Sequence, residues 1–144
     1  MREALQNFRL APLASRRHMA MFGLLHRIVL GICPSQLGDL FPFAAAPDRG
    51  RIPTRLWIIR HGKQFCERRF HTDAFGRSLF GMTRVYNLLP QIIVDSPTVK
   101  AFQRSLQNGL RRAANAETNE WQSLFSPDDS PLRPSEFQRI LNIE

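Results

Sequence analysis

Asp128 and Asp129 are adjacent carboxylates, and paired aspartates can hold two magnesium ions for nucleotidyl or phosphoryl transfer. That chemistry needs them at a hairpin between apolar strands, with another carboxylate opposite. Here they stand between Ser126-Pro127 and Ser130-Pro131, a setting expected to be a solvated turn. Cys33, Cys66, His61 and His71 form a second potential ligand set. Cys66 and His71 lack the Cys-x2-Cys partner that zinc knuckles use, so neither a metal nor another cofactor is expected. Two cysteines do not make a disulfide framework, and both are expected as reduced thiols. In a third grouping, Arg68, Arg69, Arg77 and Arg84 interleave with Phe65, Phe70, Phe75 and Phe80. Guanidinium forks grip phosphate oxygens and rings stack on bases, a pattern that fits RNA or DNA. The same phenylalanine spacing also builds a core. There is no nucleophile–base–orienter triad, Gly-rich phosphate loop or HExxH helix.

Charge points the same way as the third grouping. The chain has 144 residues and a formal net charge of +8, and of its 20 basic residues only Lys63 and Lys100 are lysine. Residues 1–112 carry +12 and residues 113–144 carry −4, a basic body with an acidic tail. Such a body suits a polyanionic partner, although a GC-rich genome also raises arginine at the expense of lysine. No apolar stretch approaches the ~20 residues of a membrane span, so no membrane partner is expected. The expected location is intracellular, nuclear or cytoplasmic. Arg2, Arg9, Arg16, Arg17 and Arg27 against Glu3 also have the flavour of a mitochondrial transit peptide, but an amphipathic core helix with basic edges is the preferred reading.

The elements that must position these residues are mainly α-helical: a small helical domain with irregular Pro/Arg-rich loops and one short strand or hairpin near 56–75. Ser15 is expected to cap a helix over 16–30, with Gly31 ending it. Its stripe contains Met19, Phe22, Leu25 and Val29. Pro34 opens a short helix carrying Leu37, Leu40 and Phe41. Residues 42–55 read as a loop, and Leu56–Ile59 as a strand. The spacing of Leu79, Met82, Val85, Tyr86 and Leu89 predicts a helix stopped by Pro90. Ser96 and Pro97 then begin a helix with Val99, Phe102, Leu106 and Leu110 on one face, and Lys100, Arg104 and Arg111 on another. Short helices are expected at 120–125 and 135–143. The chain divides into an N-terminal helical unit (1–41), a basic loop region (42–76), a helical pair (77–113) and an acidic tail (114–144).

Two resemblances follow from these stretches. Leu56–Gly62, an apolar run ending in Arg60-His61-Gly62, resembles the signature of the histidine phosphatase superfamily. The resemblance implies attack by His61 on a phosphoryl group whose oxygens neighbouring arginines hold. That family also has a long α/β domain and a second, downstream histidine. Here the last histidine is His71 and the pattern after residue 77 is helical, so this enzyme is the minor alternative.

The broader resemblance covers roughly residues 10–127. RSLFGMTRVYNLLP (77–90), IIVD, and SPTVKAFQRSLQNGL (96–110) resemble the C-terminal, post-thumb segment of non-LTR (LINE-type) retrotransposon reverse transcriptases. PLASRRHMAMFGLLHRIVLGICPSQLGDLF (12–41) and NEWQSLFSP (119–127) are similar to the flanking stretches there, while Tyr86 stands where the family often has Trp. The resemblance implies a helical appendage near the template–primer, without the catalytic palm. It nominates Arg16, Arg17, Arg77, Arg84 and Arg104 as backbone contacts, while Arg84, Tyr86, Asn87 and Pro90 read as a structural motif. The expected function is a non-catalytic domain with residual RNA or DNA binding, alongside a larger reverse-transcriptase-like chain as a second partner. The alternative is a structural or interaction remnant.

Overall fold

The computed structural model describes residues 13–44, 61–67 and 72–115, together with Phe125 and Leu141. Helix α1 (Leu13–Val29) buries a face containing Met19, Phe22, Leu25 and Ile28. It is already helical at Leu13, so Ser15 lies inside it, buried, and not at its cap. Leu13 and Ala14 are good helix formers and carry the helix past the expected start. Gly31 adopts φ 70°. With that left-handed turn, Ile32 N–H reaches the Arg27 carbonyl and Gly31 N–H reaches that of Ile28, both at 3.1 Å. This crossed pair satisfies carbonyls that a helix end leaves open.

Helix α2 (Ser35–Asp39) follows Pro34 and delivers Phe41 into the core. Phe43 then forms an isolated antiparallel bridge with Phe65, flanked by Ala44 N–H to Gln64 O (2.8 Å) and Cys66 N–H to Pro42 O (2.9 Å). That bridge is the extended pairing among the described residues. The strand expected at 56–59 and the helices expected at 120–125 and 135–143 lie outside them, apart from Phe125 and Leu141, both buried.

A short helix not expected from the sequence, α3 (Asp73–Gly76), is capped by the Thr72 hydroxyl, which accepts from Phe75 N–H. Helix α4 (Leu79–Tyr86) follows, with the Ser78 hydroxyl accepting from Phe80 N–H. Gly81 packs so closely on the Gly76 carbonyl that a Cβ there would overlap it. Most of IIVD (92–95), expected as a short apolar link, instead lies in helix α5 (Gln91–Val94), because Pro90 starts a turn that buries Ile93 and Val94. Helix α6 (Val99–Asn115) is capped by Thr98, whose hydroxyl accepts from Ala101 N–H at 3.1 Å, and not by Ser96. Pro97 precedes the cap.

Helix α1 packs against both α4 and α6, and α5 against α6. The N-terminal helical stretch therefore shares one core with the helices of 77–113. Phe22, Tyr86 and Phe102 are fully buried at its centre. Burial of a ring of this size stabilises the fold by roughly 1.5–3 kcal/mol. The fold is mainly α, and no helix among the described residues is long and apolar enough to cross a membrane.

Candidate nucleic-acid interface

The polar groups nearest the centre serve the core. His26 is fully buried on α1 and lies flat on Phe102 of α6, with ring centroids 4.0 Å apart and planes 3° apart. Its Nε2–H donates to the Ser96 carbonyl and its Nδ1 accepts from the Tyr86 hydroxyl, each at 2.9 Å. A carbonyl can only accept, so Nε2 carries a proton, and in the neutral ring that burial favours Nδ1 is left to accept from the Tyr86 hydroxyl. Burial lowers the His26 pKa from its ordinary value, partly opposed by the bond to Ser96, and burial raises that of Tyr86. This junction was not legible as such: His26 reads in sequence as an interruption of an apolar stripe.

His61 of the Arg60-His61-Gly62 stretch is also buried. Its Nε2–H donates to the Tyr86 carbonyl and its Nδ1 accepts from Lys63 N–H, both at 3.2 Å. Both ring nitrogens are thus engaged by backbone, while Arg60 lies outside the described residues. Gly62 N–H donates to the Gln91 side chain at 3.0 Å. Asn87 accepts from Phe65 N–H at 2.8 Å and donates to Phe65 O at 2.9 Å and to the Glu67 carboxylate at 3.2 Å. The 61–67 segment is thereby fastened to the end of α4 and the start of α5.

Of the phenylalanines interleaved with arginine, the described ones, Phe65, Phe75 and Phe80, pack on other rings. Phe65 is buried against Phe41, Phe43 and Tyr86. Phe80 stacks on both Phe41 (4.7 Å) and Phe75 (5.1 Å). The reason is local: α3 and α4 turn sharply at Ser78, which brings Phe75 and Phe80 together. Phe70 lies outside the described residues.

The nominated arginines divide. Arg16 and Arg17 are exposed on the first turn of α1, Arg77 is exposed between α3 and α4, Arg84 is exposed on α4, and Arg104 is exposed on α6. Arg68 and Arg69 lie outside the described residues. The side chains of Arg16, Arg17, Arg84 and Arg104 make no hydrogen bond or ion pair with another described residue. On α4, helical periodicity sets Arg84 opposite the buried Met82 and Tyr86, so it faces away from α1 and its arginines. In the Arg84–Pro90 stretch, Tyr86 and Asn87 hold the histidines and Phe65, and Pro90 begins α5.

Among the described residues, no three histidine, cysteine or acidic side chains gather as a metal site. Cys33 is a half-buried free thiol, and Cys66 an exposed one whose S–H donates to Phe43 O. His71 and the Asp128-Asp129 pair lie outside the described residues. No family model, curated protein or solved structure matches the chain.

Proposed function

We propose that this chain is a non-catalytic helical module that binds nucleic acid through the phosphate backbone, in keeping with its resemblance to the post-thumb segment of non-LTR reverse transcriptases. One observation carries the reading. Helices α1 and α6 together hold seven arginine and lysine residues, Arg16, Arg17, Arg27, Lys100, Arg104, Arg111 and Arg112, and no acidic residue. A helix surface kept soluble by charge ordinarily mixes signs and gains i,i+4 pairs. Lys100 and Arg104 are instead like charges at that spacing, a mildly unfavourable arrangement that a polyanion relieves. Because Phe65, Phe75 and Phe80 of the arginine-interleaved stretch pack on other rings, contact falls to guanidinium and ammonium groups on phosphate, which carry affinity but little sequence information.

Fluorescence anisotropy of the full chain against labelled RNA and DNA, across a salt series, tests this. Saturable binding should persist at physiological salt and weaken linearly in log–log form, by about 0.7 per neutralised phosphate on single strands and about 0.9 on B-DNA. Binding confined to low salt ends the proposal.

A second reading, docking on a larger polypeptide, draws on the exposed Leu13, Ile32, Leu40, Phe43 and Ile92. Sedimentation of the purified chain separates the two, since an uncovered docking face favours self-association that salt does not disperse.

A further inference from the structure

The contacts between α1 and α6 fix how the two helices run. Gln103 donates to the Met19 carbonyl at 3.1 Å, Gly23 lies against Gln103 and Val99, and His26 reaches Phe102 and Ser96. As residue numbers rise on α1 they fall on α6, so the pair is antiparallel. Arg16 then lies level with position 106 of α6, and Arg27 level with position 95.

At about 100° per residue, Lys100, Arg104, Gln107 and Arg111 fall within roughly a 60° arc of α6. That arc lies opposite the buried Phe102, Gly109 and Ala113, and all four of its residues are exposed. On α1, Arg16 and Arg27 are exposed on the side that turns from α6 toward solvent, whereas Arg17 falls on the far edge. Reversing one helix brings these two sides onto the same face of the pair. The result is one cationic stripe, Arg27, Lys100, Arg104, Arg16 and Arg111, spanning about 24 Å at 1.5 Å per residue. None of the five makes a hydrogen bond or ion pair through its side chain with another described residue. Asp95, the acid closest in sequence to this end of α6, is engaged by Gln91.

We infer that this stripe holds a nucleic-acid duplex by its phosphate rows, in preference to a single strand. The inference rests on the nucleic-acid reading above and names its surface and partner. Single-strand binders combine a basic groove with exposed aromatic platforms on which bases stack. The phenylalanines of α1 and α6, Phe22 and Phe102, are fully buried, so the stripe offers cations and amides without rings. Two packed helices also make a straight, rigid row. A straight row about 24 Å long spans a groove about 12 Å wide, so its cations reach the phosphate rows of a duplex on both sides of that groove.

The test uses the full chain with a DNA duplex, an RNA duplex and single strands of the same sequence, in about 0.15 M salt. Either duplex should bind about tenfold or more tighter than its strands. The double variant R104A/R111A should lose about tenfold in duplex affinity and flatten the log–log salt slope by about 1.8, while Lys63→Ala leaves both unchanged. These exposed Ala substitutions remove like-charge neighbours and should leave the melting temperature intact; K100A/R104A serves as the second variant. Single strands binding as tightly as duplexes overturns the inference. So does weakening that follows Arg84→Ala but neither stripe variant, and in both cases the backbone-binding reading survives. Absence of any binding at this salt ends both.

Discussion

The side-chain amide of Asn87 pairs with both backbone groups of Phe65, at 2.8 Å to its N–H and 2.9 Å to its C=O. Phe65 faces Phe43 in a bridge whose hydrogen bonds belong to the flanking residues, Ala44 with Gln64 and Cys66 with Pro42. In antiparallel pairing such a residue turns its own N–H and C=O to the opposite side. There, a neighbouring strand would ordinarily complete them. Asn87 takes the place of that strand.

Replacing Asn87 by Ala should therefore cost about 2–4 kcal/mol, because it leaves two buried backbone groups without their partner. Asn87→Asp should fare little better: it keeps the acceptor but sets a carboxylate against the Phe65 carbonyl and the Glu67 side chain. Urea melts give the loss, and faster amide exchange at Phe65 locates it. A stability change near zero with continued protection of that amide would show the clamp to be idle.

The His26 junction predicts acid sensitivity. In the fold His26 holds a proton less readily than in the unfolded chain, where its pKa is about 6.5. As pH falls below that value the unfolded state gains a proton that the folded state refuses. Stability is thus full above about pH 6.5 and declines as pH drops toward the folded-state value. Denaturant melts of wild type and His26→Gln across this range should converge as pH falls, with the wild type losing more. Parallel curves would count against the junction as the source.

Tyr86→Phe should cost about 1–3 kcal/mol, since it removes the hydroxyl that satisfies His26 Nδ1 while leaving the ring contacts with Phe65 and Phe102 in place. Phe102→Ala should cost more, about 3–5 kcal/mol, by opening a cavity under His26. If the two melt alike, the ring packing contributes less than its burial implies.

Gly81→Ala is expected to be far worse than an ordinary helical substitution. Alanine normally improves a helix over glycine by about 1 kcal/mol. Here its Cβ meets the Gly76 carbonyl, so α3 and α4 must separate for it to fit. A lowered melting temperature together with loss of the Phe75–Phe80 stack, visible as upfield-shifted ring protons returning to normal positions, would mark that separation.

The long helices were legible because each is amphipathic, and α1 has a glycine stop that the structure uses as a left-handed cap. The position of Asn87 near a helix end was legible too. Its grip on Phe65 was not, because the partner lies 22 residues earlier in a segment with no regular secondary structure to announce it. Helix α5 was missed because Ile92, Ile93 and Val94 favour extended structure locally, and burial of two of them reverses that preference. For the basic residues, sequence supplies type and number, but which of them share a face depends on the direction in which α1 and α6 cross. Arg84 and Arg104 look equivalent in sequence and lie on different layers of the fold.

The bond from Gln103 to Met19 joins residues 84 apart, and His26 reaches partners 60 and 70 residues downstream. A ribosome makes α1 long before α6 exists. Until position 103 has cleared the exit tunnel, the nascent helix has at most α4 to pack on, and the side of it that α6 covers, His26 included, stays open. Core closure therefore waits on contacts of long sequence separation, and a transcript truncated before Val99 would yield a product that cannot close its core.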